Sequence, residues 1–202
     1  MRTQTISNSS KPTPARGTMI LNELSIEEAA LLKLQPGLSI AATLYVPFDT
    51  DEQGKTLSTP EMLSIDEIQD FGTPYEVSKL PAGSMNHEDA NVFATAIREL
   101  FSETGYIAQS WEIVRAVETS STIPGERHIK VFLVGKNAVK RGEPTEKCIL
   151  RVNRISMTTI HQKGMVRNQR IGFRKAVESI KFINANFALS LMNHNIPDWI
   201  AE

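Results

Sequence analysis

Two carboxylates four residues apart carry the most chemical promise in this chain. In the stretch LPAGSMNHEDANVFATAIRELFSETGYI, residues 80 to 107, Glu99 and Glu103 stand at i and i+4. A helix there puts both on one face, with Thr95 and Ser102 beside them. A loop containing Gly83 comes immediately before. Carboxylates beside a loop with free backbone carbonyls suit a hard cation such as Mg²⁺, which takes oxygen ligands and usually keeps waters and substrate phosphates. A metal held there could bind a diphosphate and activate a water for attack. The same spacing also describes a solvated helix face with Arg98, Glu99 and Glu103 merely exposed. On spacing alone that plainer reading is the better one.

The elements that must position these residues follow from local pattern. Pro81-Ala82-Gly83 turns the chain, and Asp89 is placed to N-cap the helix. Phe93, Ala96, Ile97 and Leu100 follow at i, i+3, i+4 and i+7, which predicts one apolar face. Gly105 supplies a left-handed stop. Upstream, Ser25-Ile26-Glu27-Glu28 has the capping-box spacing and predicts a short helix from Ser25 to about Leu34, stopped by Pro36-Gly37. LSIAATLYVPF, residues 38 to 48, reads as a buried strand. Residues 49 to 60 read as a loop, Met62 to Ile65 as a short strand and Tyr75 to Leu80 as another. Trp111 to Val117, His128 to Val134 and Cys148 to Val152 are further strand candidates. A helical pattern returns from about Met165 to Asn193 and ends at Pro197. Strands, one helix, more strands and a terminal helix imply a mixed β-sheet with helices on both sides.

Composition bounds the rest. The chain has 202 residues, 41% of them hydrophobic, which suits one globular domain. Residues 1 to 18 read as a flexible polar tail, weakly like an organelle transit peptide, and 19 to 202 as the domain. A net charge of −1 offers none of the basic excess that nucleic-acid and membrane-surface proteins show. No apolar run approaches the ~20 residues needed to span a bilayer. The single cysteine, Cys148, excludes an internal disulfide and is expected as a packed core thiol; a cytoplasmic location fits. No Gly-x-Ser-x-Gly elbow, P-loop, Gly-x-Gly-x-x-Gly or His-Glu-x-x-His occurs.

The stretch from Gly83 to Tyr106 resembles the Nudix box, Gly-x5-Glu-x7-Arg-Glu-U-x-Glu-Glu-x-Gly-U, where U is aliphatic. The C-terminal half, Arg98-Glu99-Leu100-Phe101-Ser102-Glu103-Thr104-Gly105-Tyr106, matches well. The N-terminal half fits with one residue inserted, a spacing similar to the form G-S-x-x-x-E-D-x8-R-E-L of fungal Nudix proteins. The resemblance implies a Nudix-like α/β/α sandwich with a mixed β-sheet, and a hydrolase that uses Mg²⁺ or Mn²⁺ to cleave an organic diphosphate by metal-activated water. It makes Glu103 a metal ligand, Glu99 a ligand or general base, Arg98 the residue that orients the glutamates, and Gly83 part of a loop whose carbonyl can bind metal. A further acid often comes from later in the chain; Glu146 is the expected one, with Glu126 and Glu143 as rivals.

The sequence departs from the pattern at four places. Ser102 replaces the first Glu of the Glu-Glu pair, Glu88 or Asp89 stands near the first box Glu, and Ala82 replaces a common Gly. An early strand that often reads Leu-Leu-x-Arg-Arg is here Met62-Leu63-Ser64-Ile65-Asp66-Glu67, so a common source of phosphate-binding cations is missing. These departures keep two other readings open. One is a Nudix-fold enzyme with a lost or repurposed metal site, running acid–base chemistry on a small metabolite through Glu99, His87 or Asp89. The other is a binding module without catalysis. His87 is equally well an ordinary loop histidine. His161, Lys163, Arg167, Arg170, Arg174 and Lys175 form a basic cluster that reads first as a solvated face and second as an anion guide. The expected partner is a small-molecule substrate, with no nucleic acid and no membrane; the resemblance also implies a homodimer.

Overall fold

The computed structural model describes residues 20–70, 74–121 and 123–156. In chain order the elements are β1 (Ile20–Leu24), α1 (Ile26–Ala30), β2 (Leu38–Tyr45), β3 (Pro47–Thr50), β4 (Thr56–Asp70), β5 (Pro74–Lys79), β6 (Ala82–Ser84), α2 (Val92–Thr104), β7 (Tyr106–Ile107), β8 (Ser110–Thr119), β9 (Arg127–Lys136), β10 (Val139–Lys140) and β11 (Ile149–Ser156). They form a mixed α/β architecture. A five-stranded sheet runs β1-β8-β9-β2-β6, and a second sheet runs β11-β4-β3 with β5 also paired to β4. β7 and β10 make a small ladder at the end of α2.

β2 is the strand on which the site is built. It pairs parallel with β9 over its whole length and antiparallel with β6 through Ala41↔Ser84, Ala42↔Gly83 and Thr43↔Ala82. A strand with covered faces reads as an apolar run instead of an alternating one, which explains Leu38 to Tyr45. Ala42 and Leu44 share a buried cluster with Ala96 and Leu100 of α2, while Tyr45, Phe132, Val117 and Met62 form a second cluster. The apolar run does not continue as one strand to Phe48. Pro47 lacks the N–H a central ladder needs, and the chain passes there into the second sheet, where Phe48 pairs with Glu61.

The expected loop over residues 49 to 60 shrinks to a tight turn. The Asp51 carboxylate accepts the N–H groups of Gln53 (3.0 Å) and Lys55 (2.8 Å), and Gly54 takes φ 80°. Strand pairing therefore resumes at Thr56. The short strand expected at Met62 to Ile65 is the middle of the 15-residue β4, lengthened because β3, β5 and β11 all pair with it.

α1 carries the predicted capping box: the Ser25 hydroxyl accepts from Glu28 N–H (3.1 Å), and the Glu28 carboxylate accepts from Ser25 N–H (2.8 Å). It ends at Ala30, short of the expected Leu34. α2 also differs from its expectation at the start. Its N-cap is Asn91, whose side chain accepts from Ala94 N–H at 3.0 Å. Asp89 is drawn instead into an ion pair with Arg98.

The buried side of α2 is rotated from the one predicted. It comprises Val92, Thr95, Ala96, Glu99, Leu100, Glu103 and Thr104, while Ile97 is 49% exposed. The sheet takes the i, i+4 stripe Val92-Ala96-Leu100, and the next stripe, Thr95-Glu99-Glu103, goes in beside it. Gly105 ends the helix at φ 73°, with its N–H on the Phe101 carbonyl (2.8 Å). A Cβ there would come within 2.1 Å of the Gly142 carbonyl oxygen, so both conformation and space require glycine.

Cys148 is not the packed thiol expected. It is exposed, one residue before β11 begins. The helix predicted at 165 to 193, the basic cluster and the N-terminal tail lie outside the described residues. Among the described residues no helix is long and apolar enough to cross a membrane.

Candidate metal and diphosphate site

The loop and the helix meet through two carboxylates. β6 is held on β2 by its ladder and, at either end, by Leu44 N–H to the Pro81 carbonyl (2.9 Å) and Met85 N–H to the Ile40 carbonyl (2.8 Å). This fixes Ala82 and Gly83 under the inner side of α2. Glu103 accepts the Ala82 N–H at 2.8 Å. Glu99 lies against Gly83 so closely that a Cβ on that residue would fall 1.9 Å from the Glu99 carboxyl carbon. Both acids are turned inward: Glu99 is 7% exposed and Glu103 2%. The solvated-face alternative is therefore excluded.

Arg98 ties the assembly together. Its guanidinium forks onto Asp89, with Nε to Oδ1 at 3.1 Å and Nη2 to Oδ2 at 2.7 Å. It also reaches Glu99 Oε1 (2.7 Å) and the Ser84 carbonyl (2.9 Å). Asp89 accepts the Asn86 N–H (3.0 Å) and the Thr95 hydroxyl (3.1 Å) as well, so loop and helix share one network. Bidentate Arg–carboxylate pairs fix orientation as well as charge.

Glu146 arrives from the far side of the chain. The backbone N–H groups of Thr145 and Glu146 donate to the Ser102 carbonyl (2.8 and 3.3 Å), and the Ser102 hydroxyl donates to Glu146 Oε1 (2.8 Å). At the position where the box has a glutamate, Ser102 thus holds one in place from another segment. The rivals are elsewhere: Glu143 is exposed and paired with Lys140, and Glu126 is exposed in the turn before β9. His87 is exposed in the loop.

Two members of the cluster escaped the sequence reading. Lys79, the last residue of β5, places Nζ 3.2 Å from Glu103 Oε1 and 2.9 Å from Glu67 Oε2. Glu67 is buried on β4. No spacing rule relates them to the helix; the β4–β5 register, with Glu67 beside Val77 and Ile65 beside Lys79, brings them in.

Burial sets the electrostatics. It pushes the Glu103 carboxyl up to about 7, against the opposing pull of Lys79 and the Ala82 N–H, and Glu146 adds to the rise. Burial also raises Glu99, opposed by Arg98. Hydrogen bonds from Arg98 hold Asp89 below its ordinary value. Burial would depress Lys79, but Glu103 and Glu67 keep it above the usual lysine range.

Solved structures with this architecture decide the fold. The Nudix domain of Shewanella oneidensis NrtR, solved with ADP ribose, matches with a TM-score of 0.54 at 15% identity, over 74% of this chain and 90% of that one. An ADP compounds hydrolase matches with a TM-score of 0.54 at 16% identity, over 85% and 98%. A Listeria monocytogenes protein assigned as a Nudix hydrolase gives 0.53 at 12% identity, over 72% and 95%. The chain has the Nudix fold. No family profile matches its sequence, and no curated protein sequence does either.

β6 and α2 carry most of the segment that resembles the Nudix box. Among the described residues, no three Asp, Glu, His or Cys side chains are grouped closely enough to hold a metal ion alone. Mg²⁺ does not need such a cage, because it commonly binds one or two carboxylates together with waters and substrate phosphates. The donors present fit that mode. They are hard oxygens, Glu99 Oε2 carries no hydrogen bond among the described residues, and Gly83, having no Cβ, lets the Glu99 carboxylate lie against the loop backbone.

That geometry makes Gly83→Ala a selective probe. Gly83 has no positive φ, so alanine is conformationally allowed. Its Cβ must displace the Glu99 carboxylate, which lies at the far end of a side chain with several rotatable bonds. The expected result is a stability loss of about 1 kcal/mol or less, read from denaturant melts, with metal binding lost from the same protein. A variant that binds Mn²⁺ like the wild type would show that Glu99 need not sit on Gly83.

Proposed function

We propose that this Nudix-fold protein is a hydrolase of organic diphosphates that works with Mg²⁺ or Mn²⁺. The observation that carries the reading is the inward pair Glu99 and Glu103, packed on the Ala82-Gly83 backbone. Glu99, Glu103 and a loop carbonyl would hold the cation, with Glu146 beside them. When bound, the cation supplies charge neutralisation for the phosphates and lowers the pKa of water. The chain's own residues do the rest. Arg98 and Asp89 fix the orientation of Glu99, the Ala82 N–H fixes Glu103, and Ser102 fixes Glu146. With Oε1 of Glu99 held by Arg98, Oε2 is the oxygen that Glu99 would offer the cation.

Two of the similar structures are described through ADP ribose and ADP compounds, so these head the substrate panel. The test is phosphate or nucleotide release from ADP-ribose, nucleoside diphosphate sugars and dinucleoside polyphosphates, with Mn²⁺ and with EDTA. Metal-dependent turnover of at least one class is expected; none on any of them would overturn the reading.

A second reading is favoured by Lys79. Its ammonium already sits on Glu103, and a buried carboxyl with a pKa of about 7 is suited to proton transfer without metal. Turnover of a small metabolite that survives EDTA would support this acid–base function instead.

A further inference from the structure

Lys79 has no place in the box pattern, yet among the described residues its ammonium lies 3.2 Å from Glu103 of α2. Its side chain is 23% exposed, and the two carboxylates it joins, Glu67 and Glu103, are 8% and 2% exposed. The other oxygen of Glu103 is already taken by the Ala82 N–H. Each Glu103 oxygen thus already accepts one hydrogen, and a divalent ion that approaches Glu103 meets the Lys79 ammonium 3.2 Å from Oε1. Like charges a few ångströms apart repel, and in a half-buried cluster salt screens them poorly.

We propose that Lys79 is the resident cation of this carboxylate cluster, competing with a divalent ion for Glu103 and so setting the site's metal affinity. The inference rests on the metal-dependent reading above and adds a positioning residue from β5 to it. Lys79 holds Glu103 and Glu67 together when no divalent ion is bound. Loading the site requires its ammonium to turn away toward Glu67, which remains as its partner on the same sheet.

The experiment is Mn²⁺ titration of the full chain by calorimetry at about pH 8.5, where carboxylates are ionised. It compares wild type, Lys79→Met, Lys79→Gln and Lys79→Arg. Two neutral variants guard against one failing to fold, and thermal melts establish which are folded. The neutral variants should bind Mn²⁺ at least about tenfold more tightly than wild type, and the Arg variant, which keeps the charge, should stay within about threefold of it. Neutral variants that bind no more tightly than wild type, while wild type does bind, would overturn the role of Lys79 and leave the metal-dependent reading standing. Binding by the neutral variants alone would support the competition and remove the metal from the wild-type function. Binding by none of them would overturn both.

Discussion

Glu103→Gln leaves a folded protein whose metal-dependent diphosphate turnover falls by at least about a hundredfold, since even residues that only support metal ligands commonly cost 10–100-fold. Glutamine keeps the shape of the side chain and can still accept the Ala82 N–H through its amide oxygen. What it loses is the negative charge, in a position that is 2% exposed and not replaced by solvent. Glu99→Gln should behave in the same way, losing its ion pair to Arg98 as Glu103→Gln loses the one to Lys79. The loss belongs mainly in kcat, because it removes stabilisation of the reacting phosphate more than ground-state contacts. Glu143→Gln is the matched control: its carboxylate is exposed and, among the described residues, pairs with Lys140, so turnover should stay within about twofold. Equal losses in all three variants would mean that charge at the box helix is not what the reaction uses.

The second large effect is on stability. Without metal, the protein should be less stable at pH 8 than at pH 5, by on the order of 3 kcal/mol from Glu103 alone. In the unfolded chain this carboxyl returns to its ordinary value of 4.5; in the folded one it holds its proton up to about 7. The folded state thus binds a proton more tightly. The stability that this supplies is complete below about 4.5 and disappears as the pH rises through about 7. Asp89, held low by Arg98, acts in the opposite sense and only in acid. The comparison is therefore between wild type and Glu103→Gln: denaturant melts from pH 5 to 8 should slope downward for wild type and be flatter for the variant. Mn²⁺ should recover the wild-type loss at pH 8, because a ligand that binds only the folded state stabilises it by mass action. Parallel slopes in the two proteins would mean that Glu103 is ionised at ordinary pH in the folded chain.

Much of the scaffold was legible in the residues. The capping box at Ser25, the left-handed stop at Gly105 and the strands around Trp111 and His128 rest on local rules, and the structure has each of them. What local rules cannot give is the rotation and depth of an element. Asp89 and Asn91 are both good caps, and only the presence of Arg98 nine residues on from Asp89 assigns one to the helix and the other to the ion pair. Ile97 looks as apolar as Leu100, but the sheet accepts the stripe containing Ala96 and Leu100 and leaves Ile97 outside. Cys148 sits among apolar neighbours in sequence, yet it precedes the strand and faces solvent.

The site divided along the same line. Glu99, Glu103, Arg98 and Gly83 lie within one continuous segment, so their spacing could be compared with a known box. Glu146 was reachable only through the resemblance, in which a further acid often comes from later in the chain. Lys79 and Glu67 were invisible, since their approach depends on the register of β4 against β5 and on the height at which that edge meets α2. The consequence is chemical as well as structural, because it places an ammonium on the carboxylates Glu103 and Glu67.

Everything functional here rests on Glu99, Glu103 and the Ala82-Gly83 backbone forming one cation-binding surface. Anomalous diffraction from crystals of the full chain grown with Mn²⁺ tests it directly. A peak is expected within about 2.5 Å of a carboxylate oxygen of Glu99 or Glu103 and of a loop carbonyl at residue 82 or 83. A map with no peak there, and Lys79 still seated on Glu103, would contradict it.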